Sequence, residues 1–197
     1  FCIILHFYED GKFLFAILDI SCQSAIIRIV YTWRKAKEKT MLKIQYRDAK
    51  DGGIEVLRCF SKEDQVEIPS EIEGKRVTKI GDYAFSAHKR KEDEAKEIMI
   101  GEDFLGSEDE PMFCGEAVKE VYLPSDTVEI GKYAFYGCVN LTILGFSDSL
   151  LRTGAGIFTG CKLQKIYYDV YEDKKSALRD VVRDTRFPLQ VNIRYKE

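Results

Sequence analysis

The sequence predicts a repeat solenoid of the α/β type, mostly β, with a β-hairpin cap at its N-terminal end and a helix-strand cap at its C-terminal end. Three observations carry this. An apolar template (apolar, two variable, apolar, one variable, apolar) recurs at Ala95–Ile100, Val118–Leu123, Leu141–Phe146 and Leu163–Tyr168. The middle apolar residues Ile98, Val121, Leu144 and Ile166 follow one another at steps of 23, 23 and 22 residues, and a fixed period in the twenties marks stacked coils rather than a globule. The pattern is lost toward both ends of the chain, where terminal units have to cover the apolar faces of the stack.

The fullest coil is Val118–Cys138, VKEVYLPSDTVEIGKYAFYGC. It opens with a strand that Pro124 closes, since proline cannot donate to a sheet ladder. Pro69 has the same place in an earlier copy, Val66–Phe85. A second short apolar segment leads to Gly81, Gly131 and Gly154, which are expected to allow turns that other residues would strain. Phe85, Phe135 and Phe158 then form an expected aromatic column on the far side of the coil. Cys114, Cys138 and Cys161 recur in phase with the repeat. Small, easily buried side chains account for such a column better than a metal ladder does, because no histidine shares the phase. The charged run His88–Lys96 lengthens one coil as a solvated excursion.

Before the repeats, Leu42–Tyr46 alternates apolar and polar residues, and Ile54–Phe60 is a second strand across the turn Asp51-Gly52-Gly53. Together they read as the capping hairpin. After the repeats, Glu172–Thr185 reads as an amphipathic helix with Ala177, Leu178, Val181 and Val182 on one stripe, and Leu189–Tyr195 alternates as a terminal strand. The divisions are residues 1–40, a non-repeat segment; 41–62, the hairpin cap; 63–168, the repeats; and 169–197, the C-terminal cap. Residues 1–40 admit two readings. Lys37-Glu-Lys-Thr-Met41 can be encoded by a purine-rich bacterial ribosome-binding tract ahead of a start codon, which makes the segment translated upstream DNA. Alternatively it is a genuine hairpin or helix, broken at the turn signal Glu9-Asp10-Gly11-Lys12.

The strings VEIPSEIEGKRVTKIGDYAF, VKEVYLPSDTVEIGKYAFYGC and LTILGFSDSLLRTGAGIFTGC resemble the BspA-like leucine-rich repeat family, in which a short strand is followed by Pro-Ser and then Ile-Gly-x-x-Ala-Phe-x-Gly-Cys. The resemblance covers about Gln65–Tyr168. It implies a curved, right-handed leucine-rich-repeat solenoid. Many members of the family are surface proteins of gut and oral bacteria that bind host or partner-cell proteins, and others have no secretion signal.

Composition narrows the function classes. The chain of 197 residues has a net charge of −3 with acids and bases interspersed, so there is no basic footprint for nucleic acid. No apolar run reaches the length of a membrane span, and no secretion signal follows Met41. The six cysteines form no CxxC pair and there are two histidines, which argues against zinc-ribbon chemistry. Glu108-Asp-Glu110 does not have the spacing of a calcium loop, and no phosphate-cradling glycine loop occurs. An enzyme is therefore not expected, and no cofactor is.

What remains is surface. In the strand template, the residues on either side of the middle apolar position point away from the core. Met99, Glu120, Tyr122, Ile143, Lys165 and Tyr167 are the candidate partner-binding residues, with Met99, Tyr122, Ile143 and Tyr167 expected on one exposed face. Contiguous exposed apolar groups of this kind mark interaction sites. The reading is a non-enzymatic, monomeric module binding a protein partner through the sheet face, in a cytoplasmic setting, or at the cell surface if the natural chain is longer. The alternative is a structural fragment of a larger, adhesin-like cell-surface repeat protein.

Overall fold

The computed structural model describes residues 2–9, 12–19, 29–33, 42–86, 95–100, 114–171, 177–185 and 188–196. The chain divides into two compact units, Phe1–Lys39 and Thr40–Glu197. In the first, β1 (Cys2–Glu9), β2 (Lys12–Asp19) and β3 (Ile29–Trp33) form an antiparallel sheet in that order. Glu9 pairs with Lys12 across the expected turn.

The second unit is a β-solenoid. Its strands are β4 (Leu42–Asp48), β5 (Ile54–Phe60), β6 (Gln65–Glu67), β7 (Glu71–Ile72), β8 (Lys75–Ile80), β9 (Lys96–Ile100), β10 (Glu120–Tyr122), β11 (Glu129–Ile130), β12 (Ile143–Ser147), β13 (Arg152–Thr153), β14 (Lys165–Val170) and β15 (Gln190–Tyr195). Its helices are α1 (Cys114–Ala117) and α2 (Leu178–Asp184). The opening strands of the coils form a parallel five-stranded sheet in the order β15-β14-β12-β10-β6. The second apolar segments form a sheet of their own, parallel through β13-β11-β8-β5 and continued by antiparallel β4 and β9. The capping hairpin β4–β5 therefore extends this second sheet.

The core lies between the two sheets and the far wall. Val66, Val121, Leu144 and Ile166 stand in register down the five-stranded sheet and are fully buried. On the far wall Phe85, Phe135 and Phe158 stack at 4.7 and 5.7 Å between ring centroids. The thiols sit beside that column: Cys138 Sγ donates to the Phe85 carbonyl at 3.7 Å and Cys161 Sγ to the Phe135 carbonyl at 2.9 Å. Cys138 and Cys161 are thus packed core groups with backbone acceptors, and the side chain of Cys114 falls outside the described residues.

Three expectations are corrected. Ala95–Ile100 is not a coil of the parallel stack, because β9 pairs antiparallel with β4 (Ile44 opposite Ile98) and β10 pairs directly with β6. The physical reason is that this stretch lacks the Pro-Ser turn and the Ile-Gly-x-x-Ala-Phe wall needed to close a coil. Ile98 and Ile100 find burial at the β4 edge instead. Gly81, Gly131 and Gly154 are not at positive φ. They are glycines because neighbouring coils touch there: a β-carbon on Gly131 would lie 2.6 Å from the Asp82 nitrogen, and one on Gly154 would overlap the Lys132 backbone. The left-handed position is two residues on, at Tyr83 (φ 58°), Tyr133 (φ 52°) and Gly156 (φ 65°). Stacking of Tyr83 on Tyr133 at 5.3 Å offsets some of the cost of that conformation. At the start of α2 the N-cap Ala177 and then Val181 face the core, while Val182 points outward. A buried stripe at i and i+4 leaves no room for i+5. The expected terminal strand is present as β15, whose Ile193 and Tyr195 are 53% and 80% exposed, because among the described residues no further coil packs on the last strand. The runs 87–94 and 101–113 lie outside the described residues, so the expected loops at His88–Lys96 and Glu108–Glu110 are not placed.

The helix replaces a coil. Phe85 and Phe135 donate their N–H groups to the next coil's Ala134 and Ile157 carbonyls, whereas Phe158 N donates to Asp184 Oδ2 at 3.1 Å. A side-chain carboxylate at the end of α2 closes the column that backbone carbonyls make elsewhere.

Candidate functional site

The outward face of the five-stranded sheet is built by the parallel register. One row across the strands is Gln65, Glu120, Ile143, Lys165 and Gln190, and the next is Glu67, Tyr122, Gly145, Tyr167 and Asn192. Each has its side chain opposite to the buried middle residue of its strand. Five of the six expected site residues (Glu120, Tyr122, Ile143, Lys165 and Tyr167) are brought together here, all half-buried. Met99 is not. It lies on β9 opposite Lys43 in the other sheet, 50% exposed, for the pairing reason given above.

Tyr122 and Tyr167 stand two strands apart, yet their ring centroids are 6.3 Å apart at an interplanar angle of 25°. They lean together because Gly145, on the strand between them, has no side chain. The Tyr122 hydroxyl donates to Glu120 Oε2 at 2.9 Å. Partial burial, then the Glu120 hydrogen bond and charge, push its pKa up to about 12. On the other side of the pair, the Arg194 guanidinium lies 4.7 Å from the Tyr167 ring centroid and the Lys165 ammonium 5.4 Å, within cation–π range. Asp169 takes Arg194 in a two-toothed ion pair, Nη2 to Oδ2 at 3.0 Å, and Lys196 at 3.7 Å. Arg194, Asp169, Asn192 and Glu67 were missed from the sequence. The alternation of Leu189–Tyr195 shows that Asn192 and Arg194 share a face, but not which strand they lie beside.

A second feature without a sequence expectation crosses the other sheet. Arg47, Glu55, Lys79, Glu129 and Arg152 follow one another in register across β4, β5, β8, β11 and β13. Their contacts run 2.8 Å (Arg47–Glu55), 3.8 Å (Glu55–Lys79), 3.0 Å (Lys79–Glu129) and 3.0 Å (Glu129–Arg152). Partial burial works against the charge of Glu129, but Lys79 and Arg152 outweigh it and hold the carboxyl below its usual range. Burial likewise disfavours the Lys79 charge, and Glu129 and Glu55 outweigh it and raise the ammonium. Alternating charges in direct cross-strand contact support the pairing and leave the ladder satisfied within the chain.

Among the described residues no group of three or more His, Cys, Asp or Glu is arranged to hold a metal ion, and no helix is long and apolar enough to cross a membrane. A cavity of about 460 Å³ lies between the last coil's turn and the end of α2, bordered by Thr159, Lys162, Asp184 and Thr185. It does not open on the sheet face described above.

Residues 107–180 match the family model for the BspA type leucine rich repeat region (6 copies). That stretch of the chain is thus similar to leucine-rich repeats of the BspA type. Among solved structures it is similar to a leucine-rich repeat protein of T. pallidum, at 18% identity over 76% of this chain and 82% of that one, with a TM-score of 0.37. It is also similar to a leucine-rich cell surface protein of Faecalibacterium prausnitzii A2-165, at 14% identity over 78% of this chain and 41% of that one, with a TM-score of 0.44. No curated protein matches the sequence. The BspA-type stretch includes β10 to β14, and so the tyrosine pair.

Proposed function

We propose that this chain is a non-enzymatic binding module that engages a protein partner through the outward face of its five-stranded sheet. The carrying observation is the Tyr122–Tyr167 pair over Gly145. Two tyrosines held by stacking, by Glu120 and by Arg194 form contact area whose rotamers are already ordered, which lowers the entropy lost on binding. Aromatic side chains and arginine are the residues enriched in interface cores. Leucine-rich repeats are in general protein-interaction modules, which supports the class of function. The buried thiols of Cys59, Cys138 and Cys161, packed as reduced core groups, suit a reducing, cytoplasmic setting.

The test is the double variant Tyr122→Glu with Tyr167→Glu, used as bait in a native lysate beside the wild-type chain. The proposal expects a partner recovered by wild type and lost by the variant. Recovery of the same proteins by both baits would remove this face from consideration.

A further inference from the structure

The same face is electrically divided. At its β6–β10 side stand the carboxylates of Glu67 and Glu120, and among the described residues neither has a cation in ion-pair range. The nearby Lys119 is engaged by Asp64 at 3.4 Å. At its β14–β15 side stand Lys165, Arg194 and Lys196, and the one carboxylate among them, Asp169, is shared by Arg194 and Lys196. Between the two ends lie Tyr122, Ile143 and Tyr167. The polarity follows the coil axis, so a ligand reading both ends must cross the strands rather than join the sheet edge.

We infer that this face selects a peptide segment in the polyproline II conformation that carries a basic side chain, an apolar residue and an acidic side chain, with the two charges three positions apart. The proposal rests on the reading of the sheet face as the binding surface and specifies its ligand. Glu120 and Lys165 occupy one row with Ile143 between them, two strand spacings or about 9.6 Å apart. Three residues of polyproline II rise about 9.3 Å and return the side chain to the same face. A β-strand turns its third residue to the opposite face, so an extended strand does not meet both ends in this way.

The chain itself shows how a cation is held here. Arg194 lies on the outer side of Tyr167 and is gripped by Asp169. On the other tyrosine the strand neighbour is the carboxylate of Glu67, where Tyr167 has Asn192, and Glu120 holds the Tyr122 hydroxyl. An incoming guanidinium thus meets a ring and the carboxylates of Glu67 and Glu120, as Arg194 meets the Tyr167 ring and the one carboxylate of Asp169. The acidic side chain of the ligand meets Lys165. Complementary charge at both ends selects among partners and sets orientation more than it adds raw affinity.

The experiment is selection of a displayed random-peptide library on the full chain, in parallel with Tyr122→Glu/Tyr167→Glu and with Glu67→Lys/Glu120→Lys. All four positions are on the outward face, and each variant's melting is recorded to show that it is folded. The expected result is enrichment on wild type of peptides with opposite charges three positions apart around an apolar residue. Glu67→Lys/Glu120→Lys should bind those peptides about tenfold more weakly and enrich doubly acidic ones. Peptides that need the tyrosines but show no charge pairing overturn this inference and leave the binding face standing. Peptides retained equally by the tyrosine variant, or no enrichment at all, overturn both.

Discussion

The Tyr122 ring occupies the space that a side chain at Gly145 would need: a β-carbon built on Gly145 overlaps Tyr122 Cδ1 and comes within 3.1 Å of Cε1. The glycine is the floor on which the two site tyrosines meet. Gly145→Ala therefore forces the ring out of its place and costs about 1–3 kcal/mol as an overpacked contact. The near-ultraviolet circular dichroism of the tyrosines should fall with it. A melting temperature and tyrosine signal equal to wild type would show that the ring is not seated there.

Tyr122 titrates late. Its hydroxyl is hydrogen-bonded to Glu120 and partly buried, and its pKa is pushed up to about 12. A raised folded-state pKa means stability that is complete below the unfolded value near 10 and is lost as pH rises from there through about 12. Tyr122→Phe should remove one late-ionising tyrosinate from the alkaline absorbance titration and flatten the decline of stability over that window. An unchanged titration curve contradicts the assignment.

The charge ladder across the second sheet should respond to both salt and acid. Lys79→Met leaves Glu55 and Glu129 without their shared cation and is expected to cost about 1–2 kcal/mol, between the exposed and buried limits for ion pairs. Half-molar salt should shrink that difference. Glu129 has a depressed pKa, so its contribution is present above its usual 4.5 and lost as pH falls below it. Glu129→Gln should show less acid destabilisation than wild type. Urea melts of both variants at two salt concentrations and across acid pH decide the matter.

Glycines in this fold fall into two kinds that substitution separates. Gly131→Ala drives a methyl into the Gly81–Asp82 backbone of the neighbouring coil and is expected to cost about 3 kcal/mol or more, since backbone cannot step aside. Gly137→Ala meets open space but sits at φ 74°, so it should cost only about 1–2 kcal/mol. Equal losses in thermal unfolding would contradict close coil contact at Gly131.

Asp184 ends the stack by taking the place of a carbonyl. Asp184→Ala leaves the Phe158 N–H without its acceptor and should cost about 1–3 kcal/mol. Asp184→Asn retains an oxygen and should lose less. Amide exchange at Phe158 reports the contact directly, and protection unchanged in the alanine variant argues against it.

Much of the architecture was legible in residues alone because a solenoid repeats its packing problem. The 23- and 22-residue steps from Val121 through Leu144 to Ile166 identified buried middle positions, and stacking those positions put Glu120, Ile143 and Lys165 in one row. The same reasoning failed at Met99, because apolar spacing at Ala95–Ile100 says that a strand forms but not which strand it will join.

By itself the sequence determined which residues share a side of each strand of the stack: a two-residue alternation around an apolar middle position fixes sidedness locally wherever a strand forms. Neighbours were decided by the tertiary structure. The β6–β10 pairing, the antiparallel docking of β9 on β4, the lean of Tyr122 over Gly145 toward Tyr167, and Arg194 against Tyr167 all join residues 23 or more positions apart. Such contacts depend on how coils close and stack, and local pattern carries no energy term for them.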